Sequence, residues 1–297
     1  MAPTLTGPLI LLSPAKSLSF DGKLTATLAA IKPTTPRFLT QAGQLSTALG
    51  KMTKPQLKSL MSLSDSLAAL NHARYEDFDA QPSRAAVCAF EGQAYKGLDA
   101  KSLTADDLTY CQSHLRILCG LYGVLKPYDE IRPYRLEMSN RLECNGHSNL
   151  YQYWGAQEPS LTASLADEKP EWVLNVASQE YAKAVEFEAL GVPVVTASFP
   201  GPAVYAKTAR GEMVRFCAEQ RVTKPEQLKA FTGSNGAWRF VAGESDESLL
   251  VFHRGGGGGG KAKAAVAGKK RAAANPQGEG AETDAKTEAS KSRRKKA

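Results

Sequence analysis

Six consecutive glycines, Gly255 to Gly260, cut this chain in two. A backbone without Cβ atoms explores both signs of φ and loses the most freedom on ordering, so neither a helix nor a strand is expected to run through such a stretch. The segment that follows is rich in Ala, Lys, Glu and Gly and holds no aromatic residue. It cannot bury enough apolar surface to offset its ordering entropy, so residues 255–297 are expected to form a linker and a disordered basic tail. Charge divides at the same place. Residues 1–254 carry 26 Lys/Arg and 26 Asp/Glu, while residues 255–297 carry 11 basic and 4 acidic residues, so the net +7 of the 297-residue chain lies in the tail. A basic isoelectric point is therefore no argument that the folded part, 1–254, binds nucleic acid. The glycine run matches G-x-G-x-x-G formally, but no strand–turn–helix unit surrounds it and a linker accounts for it.

Within 1–254, short apolar runs alternate with amphipathic stretches. Leu9 to Leu12, Ala85 to Phe90, Leu115 to Leu118, Val173 to Val176, Val192 to Ala197 and Leu249 to Phe252 read as strands. Thr35-Pro36 reads as the cap and first turn of a helix carrying Phe38, Leu39, Ala42, Leu45 and Leu49, and Thr53 with Pro55 starts a second. Thr104 precedes Asp106 and Asp107, acids placed where the helix dipole favours them. A long helix is expected from about Ala206 to Gln220, then a shorter one begun by Thr223-Lys224-Pro225 and ending near Phe231. The alternation is too uneven for a regular doubly wound fold, so the expectation is an α+β fold: a single domain with a mixed β-sheet flanked by helices.

Several chemistries lose their sequence signals. The five cysteines contain no C-x-x-C and the four histidines no H-x-x-x-H, which argues against a disulfide scaffold and a metal site and for a reduced, cytoplasmic setting. No G-x-S-x-G elbow and no P-loop are present, so no catalytic residue is assigned, and no metal or cofactor is expected. The N-terminus lacks a basic region, and Leu9 to Leu12 is far too short for a signal peptide or membrane span.

What remains is a set of cations and tyrosines at strand ends. Lys16 follows the first strand; Tyr95 and Lys96 lie between Gly92 and Gly97; Gly120-Leu121-Tyr122-Gly123 leads to Arg132-Pro133-Tyr134-Arg135. Lys and Arg bind phosphate oxygens and tyrosine rings stack on exposed bases, so the constellation suits nucleic acid or another phosphorylated ligand. The structural alternative pairs Arg132 and Arg135 with Asp129, Glu130 and Glu137 and packs the tyrosines in the core. The helices from Tyr205 to Phe231 carry Lys207, Arg210 and Arg215, a DNA-contacting arrangement or an ordinary packing unit. Gly120-Leu121-Tyr122-Gly123 comes near a helix–hairpin–helix turn, with one residue too many between its glycines. In the tail, Lys269-Lys270-Arg271 and Arg293-Arg294-Lys295-Lys296 read as solvated charge or, in a eukaryotic source, as a nuclear address.

Leu12-Ser13-Pro14-Ala15-Lys16, Tyr95-Lys96-Gly97-Leu98, Leu118 to Leu125, Pro133 to Met138, Asn149-Leu150-Tyr151 and Ala209-Arg210-Gly211 together resemble the YaaA (UPF0246) family, in the family's order and across roughly residues 9–252. The resemblance implies a cytoplasmic peroxide-stress protein that limits iron-dependent oxidative damage to DNA. It further implies a basic cleft and a helix–hairpin–helix element that bind duplex DNA, with Lys16, Lys96, Arg135, Lys207 and Arg210 lining the cleft and Arg132 beside them. Two other readings stand against DNA binding without turnover. One is an enzyme on nucleic acid or a phosphorylated small molecule, with Lys16 or Lys96 as nucleophile or phosphate clamp. The other is a direct iron or redox protein, against which the lack of a metal-spaced cluster counts.

Overall fold

The computed structural model describes residues 5–255. Leu9, Ile10, Leu11 and Leu12 are fully buried, and a strand apolar on both faces belongs in the middle of a sheet. That is where strand β1 (Leu5–Leu12) lies. With β2 (Leu115–Cys119), β3 (Gly123–Leu125), β4 (Pro170–Asn175), β5 (Val194–Ser198), β6 (Trp238–Phe240) and β7 (Leu249–Arg254) it forms a seven-stranded mixed sheet of order β6-β7-β5-β4-β1-β2-β3. The inner strands are parallel, in registers such as Ile10↔Leu115, Leu9↔Val173, Val173↔Val194 and Leu249↔Thr196. The two edges are antiparallel hairpin partners, β3 on β2 and β6 on β7.

The chain order gives the sheet its functional end. From β1 the chain moves to β2 on one side, then crosses to β4 on the other and continues outward to β5 and β7. Strand order therefore reverses between β1 and β4. In parallel sheets a crevice opens at the carboxyl ends of the strands at such a reversal, because successive connections leave in opposite directions.

The helices follow local signals. Helix α1 (Leu39–Gly50) buries Ala42, Leu45 and Leu49 at helical spacing. It starts later than Thr35-Pro36 suggests, because Thr34 is held elsewhere: its backbone N–H donates to Tyr128 and its hydroxyl to Asp129 Oδ1 at 2.6 Å. Helix α2 (Lys54–Met61) opens with a capping box in which Gln56 accepts from the Thr53 N–H at 2.8 Å. Helix α3 (Asp65–Glu76) follows after three residues, capped by Ser64. Helices α4 (Gln93–Leu98), α5 (Ala105–His114) and α6 (Ala203–Gln220) come next, α5 beginning with a Thr104–Asp107 capping box. Pro225–Ala230 is a 3-10 helix.

Two expectations fail. Ala85 to Phe90 is not a strand of the sheet: Ala86–Ala89 turns as a helix, and only the short ladders Arg84–Ala85 with Glu130–Ile131 and Phe90–Glu91 with Ser17–Leu18 flank it. Gly120-Leu121-Tyr122-Gly123 is the β2–β3 turn rather than a helical hairpin. Its glycines serve packing. A Cβ on Gly120 would lie 2.5 Å from the Leu136 carbonyl, and Gly123, at φ +67°, faces the Trp154 ring. Apart from Gly255, the tail assigned to 255–297 lies outside the described residues.

Candidate functional site

A cavity of about 260 Å³ opens where strand order reverses. The turn after β1 supplies Ser13 and Lys16, the stretch after β4 supplies Ser178 and Tyr181, and the loop beyond β3 supplies Arg135 and Glu137. Helix α4 adds Gln93 and Tyr95, and α6 adds Lys207 and Arg210. The last two elements are fixed against each other by absent side chains. A Cβ on Gly211 would lie 1.7 Å from the Ala94 carbonyl, and one on Gly97 2.1 Å from the Thr208 carbonyl, so the helices touch backbone to backbone.

Four of the six expected site residues, Lys16, Arg135, Lys207 and Arg210, therefore share one cavity. Lys96 does not. It lines a neighbouring cavity of about 280 Å³ with Lys23, Arg84, Lys101 and Asp99, across the segment that carries Gly92 and Tyr95. Arg132 is absent from both linings; its backbone N–H donates to Tyr122 Oη at 3.0 Å.

The central charge arrangement is a carboxylate held by two cations. Glu137 Oε2 lies 2.6 Å from Lys16 Nζ, and Glu137 Oε1 accepts from Arg135 at 3.0 Å. The structural alternative is thus realised for Arg135, whereas Arg132 makes no ion pair among the described residues. The tyrosines also go inward. Tyr122 is 1%, Tyr134 4% and Tyr95 8% exposed, too buried to stack on a base at the surface. Their hydroxyls have internal partners: Tyr95 donates to the Ser13 carbonyl at 3.2 Å, and Tyr134 Oη lies 2.9 Å from Cys119 Sγ. Burial holds Tyr95, Tyr134 and Tyr181 well above the usual phenol range and pushes the Cys119 thiol up to about 11. These groups stay neutral and build walls.

Arg210 is the exception to pairing. Its Nε is buried and has no hydrogen-bond partner, and desolvation lowers the guanidinium from its ordinary value. A buried guanidinium N–H without an acceptor costs free energy. That atom is sealed from the cavity, but Arg210 and Lys207 both line it and neither makes an ion pair among the described residues, so these are the cations that an anion in the cavity can meet. Lys16, in contrast, is 60% exposed in its side chain and paired with Glu137. A lysine nucleophile needs a desolvated or cation-flanked setting, which this is not.

Sequence reasoning offered Glu137 as a structural partner of Arg135 but missed its second ion pair, to Lys16. It also overlooked Tyr181, Ser178 and Gln93, which carry no local signal and gain their place only when the β4 end meets α4 and α6. Of the basic residues near the α6 C-terminus, Arg215 pairs with Glu219 at 2.8 Å and Arg221 with Asp107 at 2.7 Å. That turn is a packing unit. Helices α2 and α3 pack together as a hairpin. Ser62, at φ 49°, is left-handed and turns the chain, Leu63 is buried, and Ser62 and Ser64 are exposed at the apex. The cleft loop holds this hairpin: Tyr75 Oη donates to the Arg135 carbonyl at 2.8 Å and accepts from its N–H at 3.1 Å, and Asn140 Nδ2 donates to the Leu60 carbonyl at 3.3 Å.

The family model described as "Peroxide stress protein YaaA" matches residues 9–242. The chain belongs to the YaaA family of peroxide stress proteins. A UPF0246 protein of Albidiferax ferrireducens is 46% identical over 259 residues, 83% of this chain and 98% of the relative. Another, of Maricaulis maris, is 43% identical over 257 residues, 83% of this chain and 95% of the relative. The YaaA match thus spans the cleft and the α2–α3 hairpin together. Among the described residues no group of three or more His, Cys, Asp or Glu is placed to hold a metal ion, and no helix is long and apolar enough to cross a membrane.

Proposed function

We propose that this YaaA-family chain binds duplex DNA through the α2–α3 hairpin and the cations at the cleft mouth, and so limits iron-dependent oxidative damage to that DNA. The observation that carries the reading is the tether between the two features. One loop bears Arg135 and Glu137 in the cleft and holds the hairpin through Tyr75 and Leu60, so the two are attached to one another. Exposed Ser62 and Ser64 flank buried Leu63 at the apex, which leads into α3, and Lys58 stands there, paired with Asp65 at 2.7 Å. Exposed Lys54 opens α2, and exposed Lys51 closes α1 three residues before it. Lys16 and Lys207 then act as positioning cations, without reading sequence.

The test is fluorescence anisotropy of the full-length protein on a short duplex across a salt series. Lys54→Ala, Lys16→Ala and Lys207→Ala are each expected to weaken binding and to lower the slope of log K against log salt by about 1. A slope untouched by all three, and lost only when the tail cations are replaced, removes the folded domain from DNA binding. The protective arm counts strand breaks made by ferrous iron and peroxide, which Lys54→Ala protein should suppress less than the wild type.

A further inference from the structure

A duplex bound as proposed stays at the surface, because it is far too wide to enter a cavity of about 260 Å³. The cavity nevertheless has the features of a ligand site. It lies at the strand-order reversal, and its lining joins apolar surface to four cations, Lys16, Arg135, Lys207 and Arg210, and three carboxylates, Glu91, Glu137 and Glu180. Tyr95 and Tyr134 turn their hydroxyls to internal partners, and their rings line the cavity with Tyr181, Leu12, Pro14 and Leu136. Gln93 is the single carboxamide of the lining, and its Oε1 is 3.4 Å from the Thr208 hydroxyl, which leaves its amino group unpaired among the described residues. On the α6 side, Lys207 stands beside Arg210, whose buried Nε has no acceptor.

An anion is therefore called for at one end and a flat, largely apolar group with a polar edge at the other. We propose that the cavity binds a single nucleoside monophosphate unit, with its phosphate on Arg210 and Lys207 and its base against the tyrosine wall near Gln93. The unit has two sources with the same chemistry: a free mononucleotide, or a nucleotide extruded from a strand held by the hairpin. Extrusion costs unstacking energy and is cheapest at a mismatch or a damaged base. Only the second source rests on the DNA reading.

The experiment uses full-length protein and calorimetric titration with AMP, GMP, CMP and TMP, beside adenosine and inorganic phosphate. At least one mononucleotide is expected to bind tighter than phosphate or nucleoside alone. Arg210→Gln should weaken it by about tenfold or more, since a charge-assisted bond is lost, with Arg210→Lys intermediate. Lys207→Ala, on the same helix, is the second variant should Arg210→Gln protein fail to fold. Mononucleotide affinity no better than phosphate, or unchanged by both the Arg210 and Lys207 variants, overturns the proposal even if duplex binding holds. Loss of duplex binding with intact mononucleotide binding overturns the DNA reading and leaves the free nucleotide as the ligand. For the extruded source, a duplex with 2-aminopurine at a mismatch should brighten on binding wild type and less on binding Arg210→Gln; no brightening eliminates that source.

Discussion

Glu137 sets how much of the cleft's positive charge a ligand feels. Its carboxylate holds Lys16 at 2.6 Å and Arg135 at 3.0 Å, so two of the four cations in the lining are spent on a protein partner. Glu137→Gln is expected to raise affinity for a short duplex by about tenfold at low salt, with the gain shrinking as salt screens the freed cations. Anisotropy at two ionic strengths checks both the gain and its salt dependence. A second residue-scale effect concerns pH. His114 packs flat on Tyr110 at 4.0 Å, with Nδ1 2.8 Å from the Pro8 carbonyl, and desolvation holds it below its ordinary value of 6.5. The unfolded chain therefore takes up the proton first. Above about pH 6.5 both states are neutral at this site and stability is flat; below it the folded state loses ground until pH reaches the lowered folded value. Urea unfolding at a series of pH values should show this slope in the wild type and a shallower one in His114→Phe, offset by about 1 kcal/mol for the lost hydrogen bond.

At the scale of elements, the crossing of α4 and α6 is what brings Gln93 and Arg210 to one cavity. Gly211→Ala puts a methyl 1.7 Å from the Ala94 carbonyl, and backbone cannot give way as a side chain would. The expected loss is about 3 kcal/mol, read as a shifted urea midpoint at constant m. Gly43→Ala is the contrast: that exposed α1 glycine has nothing within 4 Å of an added Cβ, so the variant should gain about 0.5–1 kcal/mol. The same crossing explains what the sequence could and could not disclose. Leu9 to Leu12 announces a central strand because apolarity on both faces has few other uses, and Thr53 and Thr104 announce helix starts because capping is local. Ala85 to Phe90 misleads because a short apolar run has no readable period, and its alanines favour a helical turn. The edge strands β3 and β6 are three residues each, too short to leave a pattern. Lys16, Arg135, Lys207 and Arg210 were recognisable as cations beside strands and helices. That Lys96 falls in the next cavity, that Arg132 serves neither, and that the cleft loop holds the α2–α3 hairpin depended on how distant segments pack.

For the whole molecule, a domain of zero formal charge and a tail with 11 cations against 4 acids offer two different ways to hold an anion. Tail cations gain by releasing counterions from any nearby duplex, a term that grows with the number of phosphates neutralised and falls steeply with salt. In the proposed complex the cavity would gain by pairing Arg210 and Lys207 with the phosphate and by covering the tyrosine wall, terms that depend little on counterions because a single nucleotide condenses few. The two contributions should separate in one full-length variant whose tail Lys and Arg are replaced by Gln. Its duplex affinity is expected to drop and its salt slope to flatten by several units, since each lost phosphate contact removes about 0.9. Its mononucleotide affinity should match the wild type, because the groups proposed to hold the nucleotide lie on α4, α6 and the strand ends. A parallel fall in mononucleotide affinity would place the anion site in the tail and leave the unpaired Arg210 without a ligand to explain it.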